Sequence, residues 1–89
     1  MKDSKDKEGR SVEILGRSGI KFIDQKKIYF LDSEMLKNPD YEMVVFWGSV
    51  RYFHDTPGST LISEIEKINI AETVIALLAK DGIRADIMK

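Results

Sequence analysis

The sequence predicts an α+β fold: an antiparallel β-sheet of about five to six strands with one long C-terminal helix packed on one face. Two patterns support this class. Short stretches of alternating apolar and polar residues fill the first part of the chain, and apolar residues at helical spacing fill 63–82. The chain has 89 residues, of which 43% are hydrophobic and 33% are charged. Such a chain supports a single domain with one core.

The first strands are predicted as a meander of antiparallel hairpins. Apolar and polar residues alternate in 11–15 and in 20–23, and a turn with two glycines separates these segments. A third segment, 27–31 (KIYFL), follows a tight reversal at 24–26. Consecutive strands joined by such short turns pair side by side.

A crossover is predicted before the most apolar strand. The alternation breaks at 32–40, which ends in the turn sequence Asn-Pro-Asp and has room for one helical turn at 33–36. The stretch 41–47 (YEMVVFW) then has no polar face after its second residue. This pattern predicts a central strand that is covered on both sides.

Two further strands complete the predicted sheet. We expect the dipeptide at 48–49 (Gly-Ser) to turn the chain into a strand at 50–53, and 54–59 to form a loop around a Pro-Gly turn. Alternation at 84–88 predicts a last strand at a sheet edge, protected by its charged residues.

The helix at 63–82 carries start and stop signals at its two ends. Ser63 and Glu66 have the spacing of a capping box, in which the serine oxygen accepts a hydrogen bond from the glutamate N–H. Gly82 suits the left-handed position just after a helix, where Ile83 can fold back on Leu78 in a Schellman motif.

The apolar residues of this helix form two stripes. The stripe that lacks a charge is expected to face the core and contains Ile70, Val74, Leu77 and Leu78, with Ala71 beside it. The second stripe surrounds Glu72 and contains Ile65, Ile68, Ile75 and Ala79. It needs cover from the rest of the chain, from a second copy in a homodimer, or from a partner. Since burying Glu72 is costly, we expect Ile65 and Ile75 to be less buried than Val74 and Leu77.

The composition limits the classes of function that the chain can have. The net charge of -1 provides no general attraction to nucleic acid or to anionic membranes, and the absence of cysteine excludes disulfides and thiolate sites. No stretch approaches the roughly 20 apolar residues of a membrane span. Residues 1–10 are mostly charged and predict a disordered tail before a single domain at 11–89. We expect a cytoplasmic protein.

No catalytic, metal or cofactor motif is recognisable, so we predict that the chain is not an enzyme. His54 and Asp55 form an adjacent pair, but His54 is the only histidine and a metal site needs further ligands. The alternatives for this pair are a general base and an ordinary loop histidine, and we favour the loop histidine.

Two sets of residues are candidates for binding. Trp47, Arg51 and Tyr52 combine aromatic and guanidinium groups, which serve both in single-stranded nucleic-acid binding and in protein interfaces. The acidic residues Asp32, Glu34 and Asp40 form a solvated loop or a patch complementary to a basic partner such as a nuclease.

The part of the chain from Tyr41 onward has a recognisable order of features: an aliphatic strand, a Ser-aliphatic-basic-aromatic segment, a proline, and a helix that opens at Ile-Ser-Glu and closes at Gly. The residues that carry it are 41–46, 49–53, Asp55, Pro57, 62–64, Ile70, Val74, Leu77 and Gly82. In this order the chain resembles the bacterial immunity protein 74 family of polymorphic toxin systems. The family's tryptophan–acid pair falls at Phe53-His54 and is absent here.

The resemblance implies a small bacterial antidote that neutralises a cognate toxin domain by direct binding in the cytoplasm, without catalysis and without a cofactor. We take this as the first hypothesis, with the partner-binding residues drawn from both candidate sets and from His54 and Asp55. The alternative is a single-stranded nucleic-acid-binding module that uses the sheet aromatics.

Overall fold

The computed structural model describes residues 3–5, 9–16, 18–25, 27–52 and 62–89, with the backbone alone described for 3–5. Its elements are β1 (Asp3–Lys5), β2 (Arg10–Ile14), β3 (Gly19–Asp24), β4 (Lys27–Met35), β5 (Met43–Tyr52), α1 (Glu64–Lys80) and β6 (Ala85–Met88). The strands form one sheet in the order β1-β2-β3-β4-β5-β6. The body of the sheet is β2–β6, and the three-residue β1 continues it at the β2 edge.

The α+β class and the single long C-terminal helix are confirmed, but the sheet is mixed rather than purely antiparallel. Neighbouring strands are antiparallel from β1 to β5, whereas β5 and β6 are parallel. The physical reason is the position of α1 between β5 and β6 in the chain. A helix that crosses the sheet returns the chain to the end at which β5 began, so that β6 runs in the same direction.

The predicted crossover at 32–40 is wrong over its first half. β4 continues to Met35 without a helical turn, and Ser33 pairs with Val45 while Met35 pairs with Met43. Pairing with β5 gives the backbone of these residues ladder partners, which an isolated helical turn would lack.

The turn predicted at 48–49 is also wrong, because 43–52 form one strand. The pairing of β4 with β5 shifts between Phe30↔Arg51 and Asp32↔Phe46, so Leu31 alone lies opposite residues 47–50. The glycine and serine therefore form a bulge inside β5 instead of a hairpin.

Within 1–10, the segment predicted to be a disordered tail, the structure describes strand at Asp3–Lys5 and at Arg10. Asp3–Lys5 pair with Glu13, Val12 and Ser11 of β2, and Arg10 is the first residue of β2. The edge of β2 offers unpaired backbone groups, and a charged segment can add to them without burying apolar side chains.

One face of the sheet packs against α1 and forms the core. The helix contributes Ala71, Val74, Leu77 and Leu78, and the sheet contributes Val12, Ile20, Phe22, Tyr29, Leu31, Met43, Val45, Val50 and Ala85. The uncharged stripe therefore faces the core, as predicted. The predicted order of burial is also confirmed, since Val74 and Leu77 are buried, Ile65 is 74% exposed and Ile75 is half-buried.

Both ends of α1 have the predicted caps. Ser63 Oγ accepts a hydrogen bond from the Glu66 N–H at 3.2 Å. At the other end Gly82 has φ +78°, and the N–H groups of Gly82 and Ile83 donate to the carbonyls of Ala79 and Leu78 at 3.0 Å. These two bonds are those of the Schellman motif.

Candidate protein-binding face

The side of the sheet opposite α1 is the candidate functional surface. Side chains alternate between the two faces of a strand, so the residues between the core positions point away from the helix. We call this surface the open face; its central residues are Lys21, Phe30, Asp32, Glu34, Val44, Phe46, Arg51, Asp86 and Met88. Within the described part of the chain, no helix lies on it.

The open face is built of cross-strand rows with an apolar residue at the centre of each. Phe30 lies between Lys21 and Arg51, and Phe46 lies between Asp32 and Met88. Phe30 and Phe46 are half-buried, and Met88 is 55% exposed.

A third row places Val44 between Glu34 and Asp86. Val44 is buried although it points away from α1, and Glu34 is exposed. The prediction that the central strand is covered on both sides therefore holds at Val44 and only partly at Phe46. The open face combines a partly wet apolar centre with charged residues around it.

Arg51 lies beside Phe30 on the open face and is held there by three contacts. Its Nη1 donates to the Ser49 carbonyl at 2.8 Å, and its Nη2 lies 3.2 Å from Asp32 Oδ1. Its Cζ lies 5.8 Å from the centroid of the Phe30 ring. Both charged side chains are about half exposed, so the ion pair adds little stability. Its main effect is to fix the guanidinium over the aromatic ring.

The bulge in β5 builds this arrangement. Ser49 Oγ accepts a hydrogen bond from the Asp32 N–H at 2.7 Å and donates one to the Phe46 carbonyl. One hydroxyl thus ties β4 to β5 where their pairing shifts. It positions Asp32, Phe46 and Arg51 relative to one another.

Trp47, Arg51 and Tyr52 do not share one surface. Arg51 points to the open face, whereas Tyr52 packs against the core with its ring 5.1 Å from that of Tyr29, centroid to centroid. Trp47 also packs against the core, and the Nζ of Lys89 lies 5.6 Å from its ring centroid. Adjacent residues of a strand point to opposite faces, which separates Arg51 from Tyr52.

The acidic candidates are divided between two places. Asp32 and Glu34 lie on the open face, whereas Asp40 lies in the connection between β4 and β5, where its N–H donates to Asn38 Oδ1 at 2.8 Å. His54 and Asp55 lie outside the described residues.

The pKa of Tyr29 lies above its ordinary value. Burial raises it first, and the neighbouring Tyr52, which also shares a hydrogen bond with it, raises it further; Asp24 and Glu66 add to the effect. The pKa of Tyr29 reaches about 12. This group keeps its proton at neutral pH and lies on the core side of the sheet, so it supports the fold rather than the open face.

The sequence prediction left several open-face residues out of its candidate sites, and the large apolar ones among them are Phe30, Phe46 and Met88. The alternation within KIYFL was the available signal for Phe30, because it places this ring opposite to Tyr29 and Leu31. For Phe46 and Met88 the pattern is ambiguous, because their segments are apolar on both faces or very short.

The second stripe of α1 is a separate exposed apolar surface. Ile65 and Ala79 are exposed, while Ile68 and Ile75 are half-buried. Glu72, at its centre, is exposed as well. This stripe and the open face lie on opposite sides of the molecule.

The described part of the chain contains neither a helix long and apolar enough to cross a membrane nor a cluster of three or more metal-ligating side chains. Comparison with known proteins adds no assignment: no family model, curated protein or solved structure matches the chain.

Proposed function

We propose that the chain is a protein-binding domain of the immunity type, which neutralises a cognate bacterial toxin by covering it with the open face. The observation that carries the proposal is the Arg51 arrangement: a guanidinium fixed over Phe30 on the open face, where no helix lies within the described part of the chain.

The composition of the open face favours a protein partner. Aromatic residues, Met and Arg are enriched at the centres of protein–protein interfaces, and Phe30, Phe46, Met88 and Arg51 supply all of these types. Arginine and large aromatic side chains also contribute most of the binding energy in such interfaces. Arg51 is already held in place by Asp32 and Ser49, so little side-chain freedom is lost when a partner docks.

The acidic residues on this face favour a partner with basic groups. Glu34 and Asp86 flank Val44, and Asp32 lies in the next row. Complementary charge speeds the encounter of two proteins and orients them, even where it adds little affinity. A toxin that acts on nucleic acid has a basic surface of this kind.

The toxin itself is inferred from the resemblance of 41–89 to immunity protein 74. On this proposal the chain acts in the cytoplasm by binding alone, without a catalytic residue and without a cofactor. The exposed second stripe of α1, with Ile65 at its start, is available to a second copy.

The test is co-purification with the product of the neighbouring gene, together with rescue of cells that express that product. We expect Arg51→Glu and Phe46→Ala each to weaken binding by about 2 kcal/mol, or about thirtyfold in Kd, because Phe46 lies at the centre of its row and Arg51 is held over Phe30 in the neighbouring row. Thermal unfolding of each variant verifies that it is folded.

The matched control is Ile65→Ser, which removes an exposed apolar side chain on the opposite side of the molecule. We expect it to bind and rescue as the wild type does. Loss of binding in Ile65→Ser, with Arg51→Glu and Phe46→Ala unaffected, would assign the interface to the helix instead. A neighbouring product that is neither bound nor toxic would end the immunity proposal.

Single-stranded nucleic-acid binding is the alternative, and the Phe30–Arg51 contact is the observation that favours it. Against it, Tyr52 points to the core, and Asp32, Glu34 and Asp86 repel phosphates from the same face. This alternative requires binding that weakens steeply with salt and that Phe30→Ala reduces.

A further inference from the structure

The open face carries charges of opposite sign at its two ends. One end has a row with two cations, which we call the basic row: Lys21, Phe30 and Arg51. The other end has a row with two carboxylates, which we call the acidic row: Glu34, Val44 and Asp86. Glu13 extends the basic row onto β2 and offsets one of its cations, so the end with Arg51 keeps a positive charge and the end with Glu34 a negative one.

The row between these two is largely apolar and consists of Asp32, Phe46 and Met88. Phe46 is half-buried, Met88 is 55% exposed, and within the described part of the chain no helix covers them. The carboxylate of Asp32 lies 3.2 Å from Arg51 of its own chain, which offsets its charge. Covering this middle row would therefore remove apolar surface from water without burying an unpaired charge.

The three rows are evenly spaced along β4. Phe30, Asp32 and Glu34 follow one another at two-residue steps on the same face of this strand. The basic row and the acidic row therefore lie at equal distances from the middle row, about 7 Å each. The opposite charges of the open face are thus placed evenly about an apolar centre.

We propose that two copies of this chain pack open face against open face, with one copy turned end for end. A two-fold axis that crosses the strands at the middle row lays each basic row over the acidic row of the other copy. Stacked sheets keep their strands aligned to within about 30°, so each strand lies over its own counterpart. Arg51 of one copy then lies over Val44 of the other, between the carboxylates of Glu34 and Asp86.

The charge pattern selects both the second copy and its orientation. In the end-for-end orientation each positive end meets a negative end, whereas a two-fold axis along the strands would place like charges together. The second stripe of α1 has no such complementarity, because Glu72 at its centre would meet the same residue of the other copy across a two-fold axis. The dimer forms without a toxin and does not rest on the proposed function; a toxin that covers the open face would compete with the second copy.

The experiment measures self-association of the full-length chain by sedimentation equilibrium, without any partner present. We expect the wild type to form a dimer. Arg51→Glu places a carboxylate against Glu34 of the second copy, and Glu34→Arg places a guanidinium against Arg51. Each variant alone should associate at least about tenfold more weakly than the wild type, because like charges then meet.

An equimolar mixture of the two variants is the decisive sample. In a mixed dimer, position 51 of each chain meets the opposite charge at position 34 of the other, so the mixture should associate at least about tenfold more tightly than either variant alone. A loss of folding in one variant would not be repaired in this way, and thermal unfolding verifies that both are folded.

The matched control is Ile65→Ser, on the side of the molecule that faces away from the open face. We expect it to associate as the wild type does. The proposal is overturned by a wild type that stays monomeric, or by a mixture that associates no better than its two components. Loss of association in Ile65→Ser, with Arg51→Glu unaffected, would overturn it as well, because the second stripe of α1 would then hold the dimer.

Discussion

At the scale of single residues, the side chain least suited to its surroundings is that of Ser33. It lies on the core face of β4, is 2% exposed, and its Oγ has no hydrogen-bond partner among the described residues. A buried hydroxyl without a partner loses its hydration and gains nothing in return. The sequence prediction put this residue in a solvated crossover, where serine is common.

We expect Ser33→Ala to raise the free energy of unfolding by about 1 kcal/mol, because it removes an unsatisfied polar atom from the core. Urea denaturation measures the change. Ser49→Ala is the matched control: its hydroxyl makes two hydrogen bonds at the bulge, so the same substitution should lower stability. A loss of stability in Ser33→Ala would mean that the hydroxyl has a partner in solution.

The Tyr29 hydroxyl makes stability depend on pH in the alkaline range. Its pKa is raised from 10.0 to about 12 in the folded protein. Between these values the unfolded chain has released the proton while the folded protein still holds it. Stability from this group is therefore complete below pH 10 and is lost as the pH rises toward 12.

The corresponding prediction concerns Tyr29→Phe, which has no proton to lose. It should be less stable than the wild type at neutral pH because the hydrogen bond with Tyr52 is missing. The difference in free energy of unfolding between the wild type and Tyr29→Phe should narrow as the pH rises above 10, because only the wild type loses stability through this group. Urea denaturation at a series of pH values above 10 measures this difference. Tyr41→Phe, at an exposed position, is the control for the removal of a hydroxyl. A difference in free energy of unfolding that stays constant or widens would contradict the raised pKa of Tyr29.

At the scale of elements, the ends of α1 and the bulge of β5 show what local sequence can and cannot specify. The capping box at Ser63 and the Schellman motif at Gly82 were predictable because each bond joins residues three to five positions apart. The Gly48-Ser49 dipeptide has the same turn chemistry as a hairpin loop. Whether it reverses the chain or bulges depends on β4, which is distant in sequence.

Gly82 provides a test of the helix end. Its φ of +78° lies in the left-handed region, and a Cβ there would meet no atom within 4 Å, so Gly82→Ala adds backbone strain without a clash. We expect it to lower the free energy of unfolding by about 1 kcal/mol. Gly19→Ala is the control, since that residue lacks the positive φ and its Cβ would make ordinary contacts at 3.6 and 3.7 Å. Equal effects of the two substitutions, measured by urea denaturation, would contradict this account.

At the scale of the whole molecule, the path of the chain decides which residues meet on the open face. The bulge shifts β5 against β4 and brings Arg51 beside Asp32 and Phe30. The helix covers the other face, and Tyr52 is partly buried against the core on that side of the sheet. Of the residues predicted from the sequence, Arg51, Asp32 and Glu34 lie on the open face. The structure adds Phe30, Phe46 and Met88 to the candidate site.

The sequence by itself determined the α+β class, the helix with both of its caps, and the stripe that faces the core. These features depend on hydrophobic periodicity and on hydrogen bonds between near neighbours, which are written locally in the chain. Only the tertiary structure decided the parallel pairing of β6, the continuation of β4 to Met35 and the union of two predicted strands into β5. Strand pairing joins residues that are far apart in sequence, and the same apolar segment can satisfy several partners, directions and registers.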